Sequence, residues 1–272
     1  MDLSNSQEFI LAVGISGLMV VLWSLRPLLK NNGLVDFGWP AGFTLAAVYY
    51  LGIGGMGNQR SLCLCSMYII CGLRFMGGWL FRVKAHGEDR RWVLWSEKWR
   101  RGEGLFGVRN LGVNYFVFYQ AQNLTNIFLL SVPLRIVALS KPRDFSALEI
   151  AAAGLWVMAF IGENCADFQL LRYQRQSPPK APLLEVGLWR YSRHPNYFFE
   201  FLLWLAYALF AWESAASSWD YLRLGLVPVA AYYFLVYFTG IPMTEAASLQ
   251  KRGAPYRQYQ ERTSRFFLRF LR

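Results

Sequence analysis

The stretch from Gly187 to Glu200 reads GLWRYSRHPNYFFE and gathers Arg190, Tyr191, Arg193, His194, Asn196, Tyr197 and Glu200 just ahead of the apolar run 201–210. Charge at membrane depth costs about 3 kcal/mol per residue unless it is paired or lines a wet cavity. The cluster is therefore expected to mark a site at a membrane–water boundary. Upstream, Glu163 and Asp167 are four apart and share one helix face near a helix C-terminus, where the macrodipole disfavours negative charge. They need cationic or hydrogen-bonding partners, and Arg172, Arg175, Arg190 and Arg193 are the nearest supply. One reading is a salt-bridge network locking two helices together. The other is a ligand pocket, in which carboxylates accept hydrogen bonds from amide or ribose hydroxyl donors while arginines bind phosphates.

Pro195 favours the first turn of a helix, so a helix is expected to open there with Asn196, Tyr197 and Glu200 near its start and free N–H groups that favour an anion. The basic tail offers Tyr256, Arg257, Tyr259 and Arg262 to close a cytosolic pocket, or alternatively an amphipathic surface helix on anionic lipid. Asp36, in VDFGWPAGF, and Arg74, in CGLRFMGG, lie at or within apolar segments. They either pair with each other or supply one group that polarises a substrate carbonyl. Gln120, Asn123 and Asn126 recur at spacing three on one helix face, where amides can also serve as interhelical hydrogen bonds.

These residues must be positioned by membrane helices. Of 272 residues 55% are hydrophobic and 17% aromatic, and several apolar runs approach the ~20 residues that cross a bilayer. The pattern predicts an all-α polytopic membrane bundle of about seven spans, at 8–29, 38–55, 61–81, 112–138, 146–171, 196–213 and 221–241. With the N-terminus outside and the C-terminus cytosolic, inner segments hold 22 of the 28 lysines and arginines, Lys180 among them, and outer segments 5, as the positive-inside rule requires. Residues 8–29 are expected to be retained as a helix, since no basic n-region precedes them and no small-residue cleavage site follows. The chain reads as one domain, with 1–140 as a lipid-substrate half and 141–272 as a cofactor half.

Several function classes are excluded. The basic charges are split among loops and do not form the continuous face a nucleic-acid binder needs. Four cysteines without ligand spacing and two distant histidines, His86 and His194, argue against a metal. GIGGMG at 52–57 matches a dinucleotide fingerprint only literally, for it lacks the flanking strand and the acidic residue, and is read as a turn between spans.

With these residues in hand, the chain resembles the steroid 5α-reductase-like superfamily of membrane enzymes, nearest its bacterial-type, DUF1295-like branch of uncharacterised function. The resemblance rests on VDFGWPAGF, GLRFMGGWLFRVKAHGEDRRW, FVFYQAQNLTNIFLLSVP, ENCADFQLLRY, GLWRYSRHPNYFFEFLLW and APYRQYQERTSRF, almost end to end. It implies NADPH bound among the cytosolic ends of the last three helices. A hydrophobic acceptor would enter from the bilayer between the first four. Asp167, Tyr191, Asn196 and Glu200 match the family's cofactor-contacting positions, Arg193 and His194 belong to the same turn, and Tyr256 and Arg262 match its tail motif. Together with Glu163, Arg172 and Tyr197 these form the expected cofactor site.

The implied chemistry is hydride transfer to an activated C=C, with Asp36, Arg74 and Gln120 as the expected catalytic groups. The chain lacks the Gln-Glu pair and the tyrosine with which steroid reductases hold a 3-keto oxygen; Asp36 and Arg74 are the nearest substitutes. The Arg193-His194-Pro195-x-Tyr197 turn also resembles that of isoprenylcysteine and phospholipid methyltransferases, whose later Glu-Glu pair is here Thr244-Glu245-Ala246. The alternatives are thus a methyltransferase using S-adenosylmethionine and a non-enzymatic lipid-binding membrane protein.

Overall fold

A backbone in hydrocarbon must satisfy its own hydrogen bonds, which leaves helices as the economical solution for these apolar runs. The computed structural model describes residues 3–54, 57–104, 107–175 and 183–269. The predicted turn at 52–57 is described only in part, since Gly55 and Met56 lie outside those residues, as do Lys180 and Arg272. Every regular element among the described residues is helical: α1 (Leu3–Leu25), α2 (Val35–Gly54), α3 (Gln59–His86), α4 (Arg90–Arg100), α5 (Leu111–Thr125), α6 (Val132–Ala138), α7 (Ala147–Gln174), α8 (Pro195–Trp212), α9 (Ser218–Tyr233), α10 (Ile241–Arg252) and α11 (Ala254–Arg262). Single π turns, Asn126–Leu130 and Phe234–Phe238, follow α5 and α9.

The starts of these helices are written locally. Asn58, Asp89 and Asn110 each accept a backbone N–H in the first turn of α3, α4 and α5, a cap typically worth ~1 kcal/mol. Ser146 and Glu149 form a reciprocal capping box on α7, with Glu149 Oε2 accepting from Ser146 N at 2.9 Å.

Four stretches are long and apolar enough to cross a membrane: Ser6–Leu25, Gln59–Ala85, Ala147–Gln174 and Ser218–Arg252. Their outward faces carry large apolar side chains, including Phe9, Ile10 and Val13 on α1 and Ile150, Ile161 and Phe168 on α7. Glu163, Asn123, Asn126 and Arg193 are buried instead. Apolar outside and polar inside is the distribution of a protein solvated by lipid. The other predicted spans correspond to α2, α5–α6 and α8. α2 and α8 carry Gly, Tyr, Trp or amide residues that lower their hydropathy, and α5 is 15 residues long, so they fall short of the same test.

The chain divides into two compact units, Met1–Phe145 with Ala211–Leu224, and Ser146–Phe210 with Gly225–Arg272. In the first, α2 and α3 approach so closely that Gly72 admits no side chain. An added Cβ would run into the Thr44 hydroxyl and stand 3.2 Å from the Pro40 carbonyl. Thr44 Oγ1 is itself anchored there, donating to Pro40 O at 2.7 Å. Also in this unit, α4 lays Trp92, Trp95 and Trp99 across α5, with Trp99 edge-on to Tyr115 at 4.8 Å and Trp92 edge-on to Phe118 at 5.3 Å. Ser96 and the Tyr115 hydroxyl share a hydrogen bond of 2.8 Å.

Overpacking of this kind costs about 1–3 kcal/mol. Gly72→Ala is therefore expected to lower the Tm of the detergent-solubilised protein by several degrees, and Thr44→Ala in the same chain should recover part of the loss. A Gly72→Ala variant as stable as the parent would refute the close α2–α3 contact.

Candidate functional site

The second unit holds the densest polar cluster. Trp189, in the short helix Gly187–Arg190, donates from Nε1 to the Ala166 carbonyl of α7 at 3.0 Å, and Leu188 N donates to Gln169 Oε1 at 3.0 Å. The segment 187–193 is thereby fixed against α7. The tail runs beside it. Arg193 N donates to Ser264 O at 2.8 Å, Ser192 Oγ to Phe266 O at 2.8 Å and Arg269 N to Tyr191 O at 3.1 Å. Tyr259, buried with Tyr256 and Leu183, donates to Trp189 O at 2.6 Å.

Arg193 sits at the centre of this arrangement, 7% exposed. Its Nε donates to Glu245 Oε1 at 2.8 Å, and its Nη1 to the carbonyls of Gln260 at 2.6 Å and Thr263 at 2.7 Å. Glu245 also receives Gln260 Nε2 at 2.9 Å. His194 Nε2 lies 3.2 Å from Glu245 Oε1; a carboxylate only accepts, so the neutral ring donates. The imidazole stacks on Tyr197 at 5.6 Å, and the Tyr197 hydroxyl meets Thr244 Oγ1 at 3.2 Å. Burial pulls the His194 pKa below its ordinary value, with Glu245 only partly offsetting it. Glu245 is delivered by a sharp bend at Gly240, where a Cβ would stand 2.5 Å from the Leu235 carbonyl.

On the facing sides of α7 and α8, Asn196 Nδ2 donates to Asp167 Oδ1 at 3.2 Å. Glu163 is 2% exposed and Glu200 9%. Arg262 binds both oxygens of Glu185, at 2.5 and 2.6 Å, on the surface. Arg172, Arg190 and Arg257 are exposed, Tyr191 half-buried. Arg193, one of the four arginines named as the nearest supply for Glu163 and Asp167, thus answers Glu245 instead.

The predicted catalytic residues belong to the first unit. Asp36 accepts from Trp92 Nε1 at 2.9 Å and from Arg91 Nη2 at 3.3 Å. Its partner is Arg91, not Arg74, because α4 folds back over the start of α2. Arg91 is shared with Asp89, at 2.9 Å. Arg74 lies over the Phe75 ring at 4.8 Å. Gln120 Oε1 accepts from Asn123 Nδ2 at 3.0 Å.

Sequence reasoning overlooked Glu245 as a partner, although it is the sole carboxylate between Asp220 and Glu261. It also overlooked Arg91 and Gln260. Among the described residues no group of His, Cys, Asp and Glu is arranged to hold a metal.

Two variants separate buried from exposed pairing. Glu245→Ala strips the buried Arg193 of its carboxylate and is expected to cost about 3–5 kcal/mol, read as a large fall in Tm. Glu185→Ala, at the surface, should cost under ~1 kcal/mol. Equal effects would contradict the assignment. His194 gives a pH prediction. Its folded pKa is depressed, so the unfolded chain takes up the proton first as pH falls. Stability from His194 is whole above the ordinary value of 6.5 and declines below it. Tm should fall between pH 7.5 and 5.5, and less steeply in His194→Gln.

The family model "Protein of unknown function (DUF1295)" matches residues 22–263. An uncharacterized protein of Schizosaccharomyces pombe is 30% identical over an alignment covering 97% of this chain and 81% of its own length. No solved structure matches the chain. With a family match across most of its length, and four stretches long and apolar enough to cross a membrane, the chain belongs to the DUF1295 family.

Proposed function

We propose that this protein is a membrane-embedded NADPH-dependent reductase of an activated C=C in a lipid-soluble enone. In this reading the chain makes seven spans with its N-terminus outside, its tail and cofactor site in the cytosol, and its acceptor drawn from the bilayer. The membership of the steroid 5α-reductase-like superfamily, suggested by the motifs above, is part of the same proposal.

The observation that carries it is the character of the α7–α8 wall. Asn196 Oδ1 is buried without a partner beside the Asp167 carboxylate, and Glu163 and Glu200 line the same helices. This wall accepts hydrogen bonds. It suits the donors of a reduced nicotinamide nucleotide, its carboxamide N–H and its ribose hydroxyls. The exposed Arg172, Arg190 and Arg257, with Arg262 once released from Glu185, are the groups we assign to its phosphates. Tyr191, Tyr197 and Tyr256 supply ring surface, and Arg193 and His194 act as positioning residues that hold the tail to the wall. NADPH, when bound, would supply hydride for the β-carbon of the enone, and the second hydrogen would reach the α-carbon as a proton. Asp36, Arg74 and Gln120 of the first unit are the groups we assign to polarising the carbonyl or delivering that proton.

A second reading, methyl transfer from S-adenosylmethionine, starts from the same turn. Glu245, the remaining acid at the position of the methyltransferase pair, is occupied by Arg193, His194 and Gln260, which favours the reductase.

Thermal-shift titration of the purified protein decides between them. NADPH at a hundredfold excess over its Kd should stabilise by about 2.7 kcal/mol, and Asn196→Leu should weaken the affinity at least tenfold while keeping the parent fold. Stabilisation by S-adenosylmethionine alone would transfer the site to methyl transfer. No response to either nucleotide would leave a non-enzymatic lipid-binding protein.

A further inference from the structure

The first unit contains a second set of buried polar atoms, made by Gln120, Asn123 and Asn126 on one face of α5 and its π turn. Asn123 Nδ2 donates to Ser16 Oγ of α1 at 2.8 Å and to Gln120 Oε1 at 3.0 Å, and Asn126 Nδ2 donates to the Trp39 carbonyl of α2 at 3.3 Å. Asn123 is 3% exposed and Asn126 0%. Yet Asn123 Oδ1, Asn126 Oδ1 and Gln120 Nε2 are buried with no hydrogen-bond partner. Buried polar groups are almost always satisfied, so each exception asks for a reason. Three in succession, near the middle of the predicted fourth span, are aimed at something the protein itself does not provide. The helix is also irregular at this point, for Asn126–Leu130 is a π turn, a feature frequent at functional sites. Gly42 keeps α2 close, since a Cβ there would touch Asn126 Nδ2 at 2.5 Å.

The kind of atom left over identifies the ligand. Gln120 and Asn123 are joined amide to amide, which leaves one donor, Gln120 Nε2, beside one acceptor, Asn123 Oδ1. A hydroxyl accepts from the first and donates to the second. A ketone or ether oxygen only accepts and leaves Asn123 Oδ1 as it was. Asn126 Oδ1 repeats the acceptor one turn further on. Asn126 is sealed while Gln120 is half-buried, so the approach is from the Gln120 end.

We propose that the Gln120–Asn123 amide pair is the binding site for the hydroxyl of a membrane-soluble alcohol. That this hydroxyl is a second group on the enone acceptor rests on the reductase reading; its binding does not.

The test uses the full chain in nanodiscs without nucleotide, and two probe pairs: a C20 prenol with its methyl ether, and cholesterol with its methyl ether. One alcohol is expected to bind at least tenfold more tightly than its ether, and a diazirine placed beside its hydroxyl should label α5. Gln120→Met, at the half-buried position, and Asn123→Leu should each reduce the alcohol–ether ratio to near one, while Ser16→Ala leaves it largely intact. If Asn123→Leu fails to fold, Gln120→Met decides alone. Equal binding of alcohol and ether in both pairs overturns the proposal, as does labelling confined to other helices or an unchanged ratio in Gln120→Met. Alcohol binding in a protein that NADPH does not stabilise would sink the reductase reading and leave this site standing.

Discussion

A single buried cation organises the second unit. Arg193 is enclosed by the protein, and an enclosed guanidinium needs both a countercharge and acceptors for its N–H groups. Glu245 supplies the charge, and the carbonyls of Gln260 and Thr263 supply acceptors. To satisfy one side chain the chain must therefore bring α10, the end of α11 and the residues beyond it to the turn that opens α8. The bend at Gly240 serves this purpose, since it swings Glu245 out of the line of α9. The docking of the tail along 191–193 by backbone hydrogen bonds follows from the same demand.

The first unit solves a related problem with aromatic surface. Asp36 is a carboxylate at the end of an apolar helix, and α4 brings it Arg91 and the Trp92 indole. Three tryptophans on α4 pack their rings against α5, Trp92 and Trp99 buried, while their helix keeps Glu97, Lys98 and Arg100 exposed. Amphipathic packing of this sort suits a helix lying at a membrane surface. Polar groups deeper in the unit are met by other helices, as Asn123 Nδ2 is by Ser16.

Much of this was legible residue by residue. The apolar runs mark the long helices, because a membrane segment must be apolar over a length set by the bilayer. Ser146-x-x-Glu149 marks the start of α7 through capping, and the cluster 187–200 marks the site through the cost of bringing charge to lipid. The α5 amides were visible as a face of spacing three. Two pairings that the sequence offered are not made: Asp36 with Arg74, and Arg193 with the α7 carboxylates. The reason is the same in both cases, for a carboxylate and an arginine carry no mark of which partner the fold will choose. Glu245 was passed over because it was compared with a motif it does not complete, although an isolated acid amid basic residues is itself a signal.

The sequence alone determined that this is a helical membrane protein with polar chemistry concentrated at 163–200 and in the tail, since periodicity, apolar length and charge density are local properties. Tertiary structure decided which of those charges are enclosed and which stand at the surface. Arg193 and Arg262 are the same residue type in the same basic region. One is enclosed by acceptors 50 to 70 residues away in sequence, and the other stands at the surface. Burial and partner choice arise only when distant segments are brought together, and in a low-dielectric interior those two quantities fix what a charged group can do.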